Sequence, residues 1–378
     1  MPGIYIHIPF CKQACHYCDF HFSTSLQNKK PFLSALEKEI ELQKSFFEKE
    51  SSGIINTIYF GGGTPSLLSY DELAVIFETL NKCFTISSTA EITLEANPDD
   101  LNSAKLKELA NSPINRLSIG IQSFYDDDLK WMNRAHNSAQ ASSSVKGAQD
   151  KGLENITIDL IYGIPTLDNA KWKNNLQKAF ELSVPHISAY CLTVEPRTAL
   201  ADMIKKKKVL NINEQQSIEH FTMLVDEMKQ NNFVQYEISN FCKNEQYSKH
   251  NSNYWKGESY LGLGPSAHSF DGKNRQWNIS NNALYINSLA NNKIQFEREE
   301  LSEKQRYNEY ILTSLRTIWG TSLNHIKQVF GENYVQHCLK EAQIYFSNLD
   351  LMEEENKLLL TDKGKLIADK IASDLFII

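Results

Sequence analysis

Apolar residues recur along the first half of the chain in two alternating rhythms. Short β-branched runs over residues 4–8, 54–60, 91–95, 116–121, 156–161 and 187–192 read as strands. Between them lie longer stretches of helical period, over 31–50, 71–83, 102–110, 125–132, 139–151 and 170–182. In the first of these, Phe32, Leu36, Ile40 and Phe47 share one face. Strands alternating with helices of this length imply right-handed βαβ crossovers and a parallel sheet, so the expected class is α/β. Six such units suit a partial barrel or a doubly wound sheet.

After residue 193 the rhythm loosens. Lys205 to Lys208 form a lysine run that reads as a solvated helix face before a linker. Residues 218–228 are helical in period, and 247–270, rich in aromatics, Gly and polar residues, read as a loop-rich functional segment. Helices over 303–318, 323–329 and 334–349 then lead to a strand over 357–360 and a helix over 362–373, a small winged-helix-like appendage. The expected division is 1–210 for the barrel, 211–298 for an extension of it and 299–378 for the C-terminal helical domain.

Composition narrows the function. The 378 residues are 41% hydrophobic and 22% charged, with 39 Lys+Arg against 46 Asp+Glu, a net charge of -7. A duplex binder needs a basic surface to displace counterions, so nucleic acid is a poor partner for this chain. No apolar run approaches a membrane span, and the N-terminus lacks a signal-peptide pattern, so a cytoplasmic location is expected. The seven cysteines are odd in number and unevenly spread, unlike a secreted disulfide framework.

Three of them, Cys11, Cys15 and Cys18, form a C-x3-C-x2-C pattern just past the first strand. Three thiolates on one loop can ligate three irons of a [4Fe-4S] cube and leave the fourth open to a small molecule. The competing readings are a Cys3His zinc site completed by His7, His16 or His21, and a loop of plain buried thiols.

Other unusual residues sit at or just past the carboxyl ends of the expected strands, where parallel α/β folds collect their sites. They are Gly61-Gly62-Gly63-Thr64-Pro65, Glu95 with Asn97, Gln122, and Asp159. Glycines let a backbone approach a ligand closely, or simply make a tight turn. A carboxylate aimed into the mouth of a sheet is costly unless it meets a partner.

The cysteine loop directly after Tyr5-Ile6-His7-Ile8-Pro9-Phe10, with Gly61-Gly62-Gly63-Thr64-Pro65 downstream, resembles the radical S-adenosylmethionine (SAM) superfamily and, within it, the coproporphyrinogen III oxidase-like branch. The resemblance implies a partial (β/α)6 TIM-like barrel holding a [4Fe-4S] cluster on Cys11, Cys15 and Cys18. It implies SAM on the open iron, with Tyr5, Tyr17, Gly63, Thr64, Glu95, Gln122, Arg134 and Asp159 around it, and an electron donor for the cluster. One electron would then cleave SAM to a 5′-deoxyadenosyl radical.

The chain departs from the true oxidases in two places. They carry a fourth cysteine two residues after the third, where this chain has Phe20, and they have an extension ahead of the first strand, which here begins by Ile4. The segment His250-Asn251-Ser252-Asn253-Tyr254-Trp255 instead resembles the H-N-x-x-Y-W motif of HemW-type haem chaperones. That likeness implies haem as cargo, with His250, Asn251, Tyr254 and Trp255 near it, and delivery to a recipient haemoprotein, membrane-bound respiratory ones included. Imidazole is a common haem ligand and aromatic rings can flank the macrocycle. The iron ligand is left between His250 and a cysteine outside the cluster; the residues alone favour His250 capping a turn while the rings fill a seam, and the haem role is what the resemblance implies. The alternative function is oxidative decarboxylation of coproporphyrinogen III.

Overall fold

In each of the first six strands, residues of one parity are apolar and those of the other are largely polar. Ile4, Ile6 and Ile8 are fully buried, as are Ile58 and Phe60, Leu117, Ile119 and Ile121, Ile156, Ile158 and Leu160, and Ile187. Successive side chains of a strand point to opposite faces. The apolar set therefore packs under the helices, and the opposite set (Glu91, Thr93 and Glu95; Arg116 and Ser118; Thr157 and Asp159; His186, Ser188 and Tyr190) faces the other way, inward. Parallel strands covered on both faces are usually apolar throughout; a polar inner face is the mark of a site.

A computed structural model of the chain, describing residues 2–48 and 53–378, places these strands side by side. β1 (Gly3–Ile8), β2 (Ile54–Gly62), β3 (Thr85–Ala96), β4 (Arg116–Gln122), β5 (Ile156–Tyr162) and β6 (His186–Cys191) pair in parallel in sequence order. The sheet is extended at both ends. Beyond β6 come β7 (Val234–Glu237) and β8 (Asn240–Cys242), with β8 antiparallel on β6. On the other side β9 (Tyr260–Leu263) runs parallel to β1 and leads to the antiparallel β10 (His268–Phe270), β11 (Asn274–Asn278) and β12 (Phe296–Glu300). The order β12-β11-β10-β9-β1-β2-β3-β4-β5-β6-β8-β7 does not close, so the parallel core is a partial barrel.

A second hydrophobic core, separate from the barrel's, is built from Tyr307, Ile311, Leu315, Ile326, Cys338, Tyr345 and Leu358, among others. Its helices surround the small sheet of β13 (Thr321–Ser322), β14 (Leu351–Glu354) and β15 (Lys357–Leu360). Among the described residues no helix is long and apolar enough to cross a membrane.

Several elements differ from the periodicity. The helix expected over 31–50 is Lys29–Leu42; the chain then turns so that Phe47 meets Phe84 edge-on at 6.1 Å, and residues 49 and 50 lie outside the described residues. The segment expected to be loop-rich holds a helix, Lys249–Trp255, followed by β9 and β10. The helix expected over 362–373 is two short ones, Asp362–Lys365 and Ala368–Asp374. The lysine run caps the end of the helix Ala199–Lys205 and is exposed throughout.

Candidate functional site

The carboxyl ends of the parallel strands open into a cavity of about 510 Å3. Cys11, Cys15 and Cys18 line one side, on a loop sewn to its surroundings from several directions. Lys12 Nζ reaches Asp99 at 2.9 Å and also pairs with Asp100. Gln13 Nε2 donates to Asn133, whose own amide donates back to the Ala14 carbonyl at 2.7 Å. His16 Nδ1 donates to the Trp131 carbonyl at 2.8 Å. A loop fixed this way presents its thiols without further ordering cost.

Arg134 joins the loop to the strands. One guanidinium nitrogen lies 3.3 Å from Cys15 Sγ, and another donates to Asn97 Oδ1 at 2.6 Å and to the Gly120 carbonyl at 2.9 Å. A Cβ on Gly120 would come 2.8 Å from Gln122 Nε2 and 3.1 Å from that nitrogen, so a side chain there would push both aside. Arg134 Nε is buried without a hydrogen-bond partner. Burial pushes the Cys11 thiol up, and the Cys18 thiol up to about 11, so unligated they stay protonated at neutral pH.

Glu95 and Asp159 face each other's charge across the cavity. Glu95 accepts from Tyr59 OH at 2.8 Å, and burial, with a smaller push from Asp159, raises its carboxyl to about 7. Asp159 accepts from Ser118 Oγ at 3.1 Å and is raised by burial to about 6. Near neutral pH both can therefore donate or accept a hydrogen bond. Gln122 ends β4 at a register shift with φ 66°, a left-handed conformation that costs a residue with a side chain about 1–2 kcal/mol. Such strain tends to gather at ligand sites.

Seven of the eight residues that the resemblance implies around SAM line this cavity: Tyr17, Gly63, Thr64, Glu95, Gln122, Arg134 and Asp159. Tyr5 does not. It stands behind the wall, stacked on Tyr59 at 6.2 Å and donating to His7 Nδ1 at 3.2 Å. Tyr59, Arg116, Ser118, Ser188 and Tyr190 line the cavity and were absent from the expected set. The signal that finds them is parity, since each shares the inward register of Glu95 or Asp159 or their neighbours. The glycine run also differs in its reason. A Cβ on Gly62 would meet the His7 ring at 2.6 Å, and one on Gly63 the carbonyls of Ile8 and Phe10 at 2.7 Å, so these glycines make room for the end of β1 and the chain leading into the cysteine loop as well as facing the cavity.

The thiol loop suits a cluster better than a zinc ion. Among the described residues no three His, Cys, Asp or Glu side chains converge on one ion. The three histidines weighed for zinc are engaged elsewhere, His7 Nε2 with the His21 carbonyl at 2.8 Å, His16 with Trp131, and His21 Nε2 with Asn282 Oδ1 at 2.7 Å. Three soft donors spread along the edge of a ligand-sized cavity, beside a buried unpartnered Arg134 Nε, fit a larger sulfur-rich group with one open coordination place.

The H-N-x-x-Y-W residues are not gathered in one place. The His250 ring is stacked on Tyr59 at 5.1 Å with Nδ1 2.9 Å from Thr57 Oγ1, and burial pushes its pKa down to about 3. Glu91 fixes the start of its helix by accepting from the Lys249 and His250 amides at 3.1 and 3.0 Å. Asn251 lines the main cavity. Tyr254 and Trp255 lie about a turn further on and face the C-terminal domain, with the Arg316 guanidinium 5.6 Å from the Trp255 ring. His250 is thus half-buried against the barrel strands, and Tyr254 is exposed.

Residues 5–179 match the radical SAM superfamily. The chain is 33% identical over 380 residues to the haem chaperone HemW of Bacillus subtilis strain 168, covering 98% of each. It is 32% identical to the HemW of Lactococcus lactis strain IL1403, covering 95% of this chain and 93% of that one. The crystal structure of coproporphyrinogen III oxidase from Escherichia coli, a radical SAM enzyme, superposes with a TM-score of 0.85 at 21% identity, covering 99% of this chain and 90% of that one. At that identity the likeness shows the shared fold.

Proposed function

The chain belongs to the radical SAM superfamily and, within it, to the family of the haem chaperone HemW; from that premise we propose that it binds haem and delivers it to a haem-requiring protein. The observation that carries this reading is the reach of the similarity. It spans the barrel, its extension and the C-terminal domain together, so it bears on the whole chain rather than on the common barrel.

In this reading Cys11, Cys15 and Cys18 hold a [4Fe-4S] cluster, and Tyr17, Gly63, Thr64, Glu95, Gln122, Arg134 and Asp159 surround SAM. Together such a pair supplies one-electron cleavage of a sulfonium. Arg134 keeps the Cys15 thiolate in place with a charge-assisted bond, and the backbone at Gly63 admits close approach. Glu95 and Asp159, poised near neutrality, can serve both the amine and the hydroxyls of a nucleotide. We place the recipient among respiratory haemoproteins, and an electron donor is required to reduce the cluster. Phe20, 67% exposed where the oxidases have their further cysteine, argues for carriage over decarboxylation.

The test is a haem titration of the anaerobically reconstituted chain, beside an assay with coproporphyrinogen III, SAM and dithionite. A shifted Soret band with one haem per chain and no protoporphyrinogen is expected. Steady protoporphyrinogen formation, or no haem binding, would overturn the reading.

A further inference from the structure

We infer that haem sits in the groove between the barrel extension and the C-terminal domain, with His325 as its iron ligand. This rests on the haem-binding reading above and names its site. The groove, of about 260 Å3, is lined on one side by Tyr254, Tyr260 and Phe270 and on the other by Tyr310, His325 and Phe330. On the barrel side, Tyr254 lies 5.9 Å from Tyr260, which lies 6.5 Å from Phe270. On the domain side, the Tyr310 ring lies 4.4 Å from the His325 imidazole and 6.5 Å from Phe330. Two aromatic walls facing one slot are the surroundings that a flat macrocycle requires.

The rim is cationic. Lys256, Arg275 and Arg306 line the same groove, and only Glu309 among its lining residues is acidic, lying 3.1 Å from Arg275 Nε. Arg275 is paired with Glu309 and Lys256 Nζ lies 4.1 Å over the Trp319 ring, so a carboxylate on the edge of a ligand would meet Arg306, whose planar fork suits it. His325 sits in the first turn of the helix Leu323–Val329 and is exposed, whereas the His250 ring is half-buried, stacked on Tyr59 and bonded to Thr57. An imidazole must reach its metal from an accessible position. At about 260 Å3 the groove takes only part of a macrocycle, so haem is gripped along an edge with the rest outward, as release to a recipient needs. It also assigns the H-N-x-x-Y-W segment two tasks: His250 and Asn251 belong to the barrel, and Tyr254 to the cargo.

The test uses the full chain with its cluster reconstituted, titrated with ferric haem and followed by absorption and electron paramagnetic resonance. His325→Ala should weaken haem binding at least tenfold and abolish the imidazole-ligated signature, with added imidazole restoring the spectrum. Cluster iron and sulfide should be unchanged. Val329→Trp, which fills the groove from an exposed position, should weaken binding comparably, and Arg306→Ala should weaken it several-fold with the spectrum intact. Haem bound by His325→Ala and Val329→Trp with wild-type affinity and spectrum would overturn the site while leaving the chaperone reading standing. A wild-type chain that binds no haem would overturn both.

Discussion

Arg134 shows how one side chain can couple a metal-binding loop to a barrel. Its guanidinium touches Cys15, Asn97 and the Gly120 carbonyl, linking the cysteine loop to the ends of β3 and β4. Hydrogen bonds made by a charged group contribute about 1.5–3 kcal/mol each, and stranding their partners costs more. Arg134→Met should therefore lower cluster occupancy after anaerobic reconstitution several-fold, read as iron and acid-labile sulfide per chain, and depress the Tm. Unchanged iron content would show that the loop orders its thiols without the guanidinium. The cysteines and Glu95 were legible from the sequence because their chemistry is unusual and local. Tyr190 was not, because a tyrosine near the end of a strand is ordinary until its neighbours place it on a cavity wall.

At the scale of elements, the first helix does more than cover the barrel. Glu39, fully buried, accepts from the Gly264 amide at 2.7 Å, Asn278 Nδ2 at 2.6 Å and Tyr285 OH at 2.6 Å, and so ties the helix Lys29–Leu42 to the strands added beside β1. These partners lie more than two hundred residues away in sequence, and no periodicity announces them. Glu39→Ala leaves those donors buried and unmet, at about 1–3 kcal/mol each. A loss of about 3 kcal/mol or more in chemical denaturation is expected, with Glu39→Gln retaining part of it; a loss under 1 kcal/mol would mean that the extension is held by its apolar contacts alone. The strands of the parallel core were legible because their apolar parity repeats six times. β7 and β8 were not, since their few residues are too short for a period to register.

For the whole molecule, buried titratable groups set opposing limits on stability. His7 and His136 are lowered by burial to about 4 and His250 to about 3, so the fold holds them neutral while the unfolded chain binds protons below its ordinary value of 6.5. Stability from these groups is complete above pH 6.5 and is lost as pH falls toward 4 and 3. Glu95 and Asp159 act with the opposite sign: raised to about 7 and 6, they favour the fold below their unfolded values near 4, and that contribution is lost as pH rises through 6 and 7. With three histidines against two carboxylates, the Tm of the cluster-free chain should rise from pH 4 and level off near pH 7. Substituting Glu95→Gln removes one opposing contribution and should steepen the rise between pH 5 and 7. A Tm still rising from pH 7 to 8.5 would contradict this assignment.

The sequence by itself determined the α/β class with its parallel βαβ units, the thiol loop and the carboxylates at the strand ends. Those features depend on local period and on residue types whose chemistry has few uses. Only the tertiary structure decided which polar side chains share the cavity wall, that Tyr5 stands behind it, and that His250 and Tyr254 of one motif face different spaces. It also brought His325 and Tyr254, far apart along the chain, to the same groove. Such pairings depend on how two separately folded cores meet, and the interface between them leaves no periodic trace in either segment.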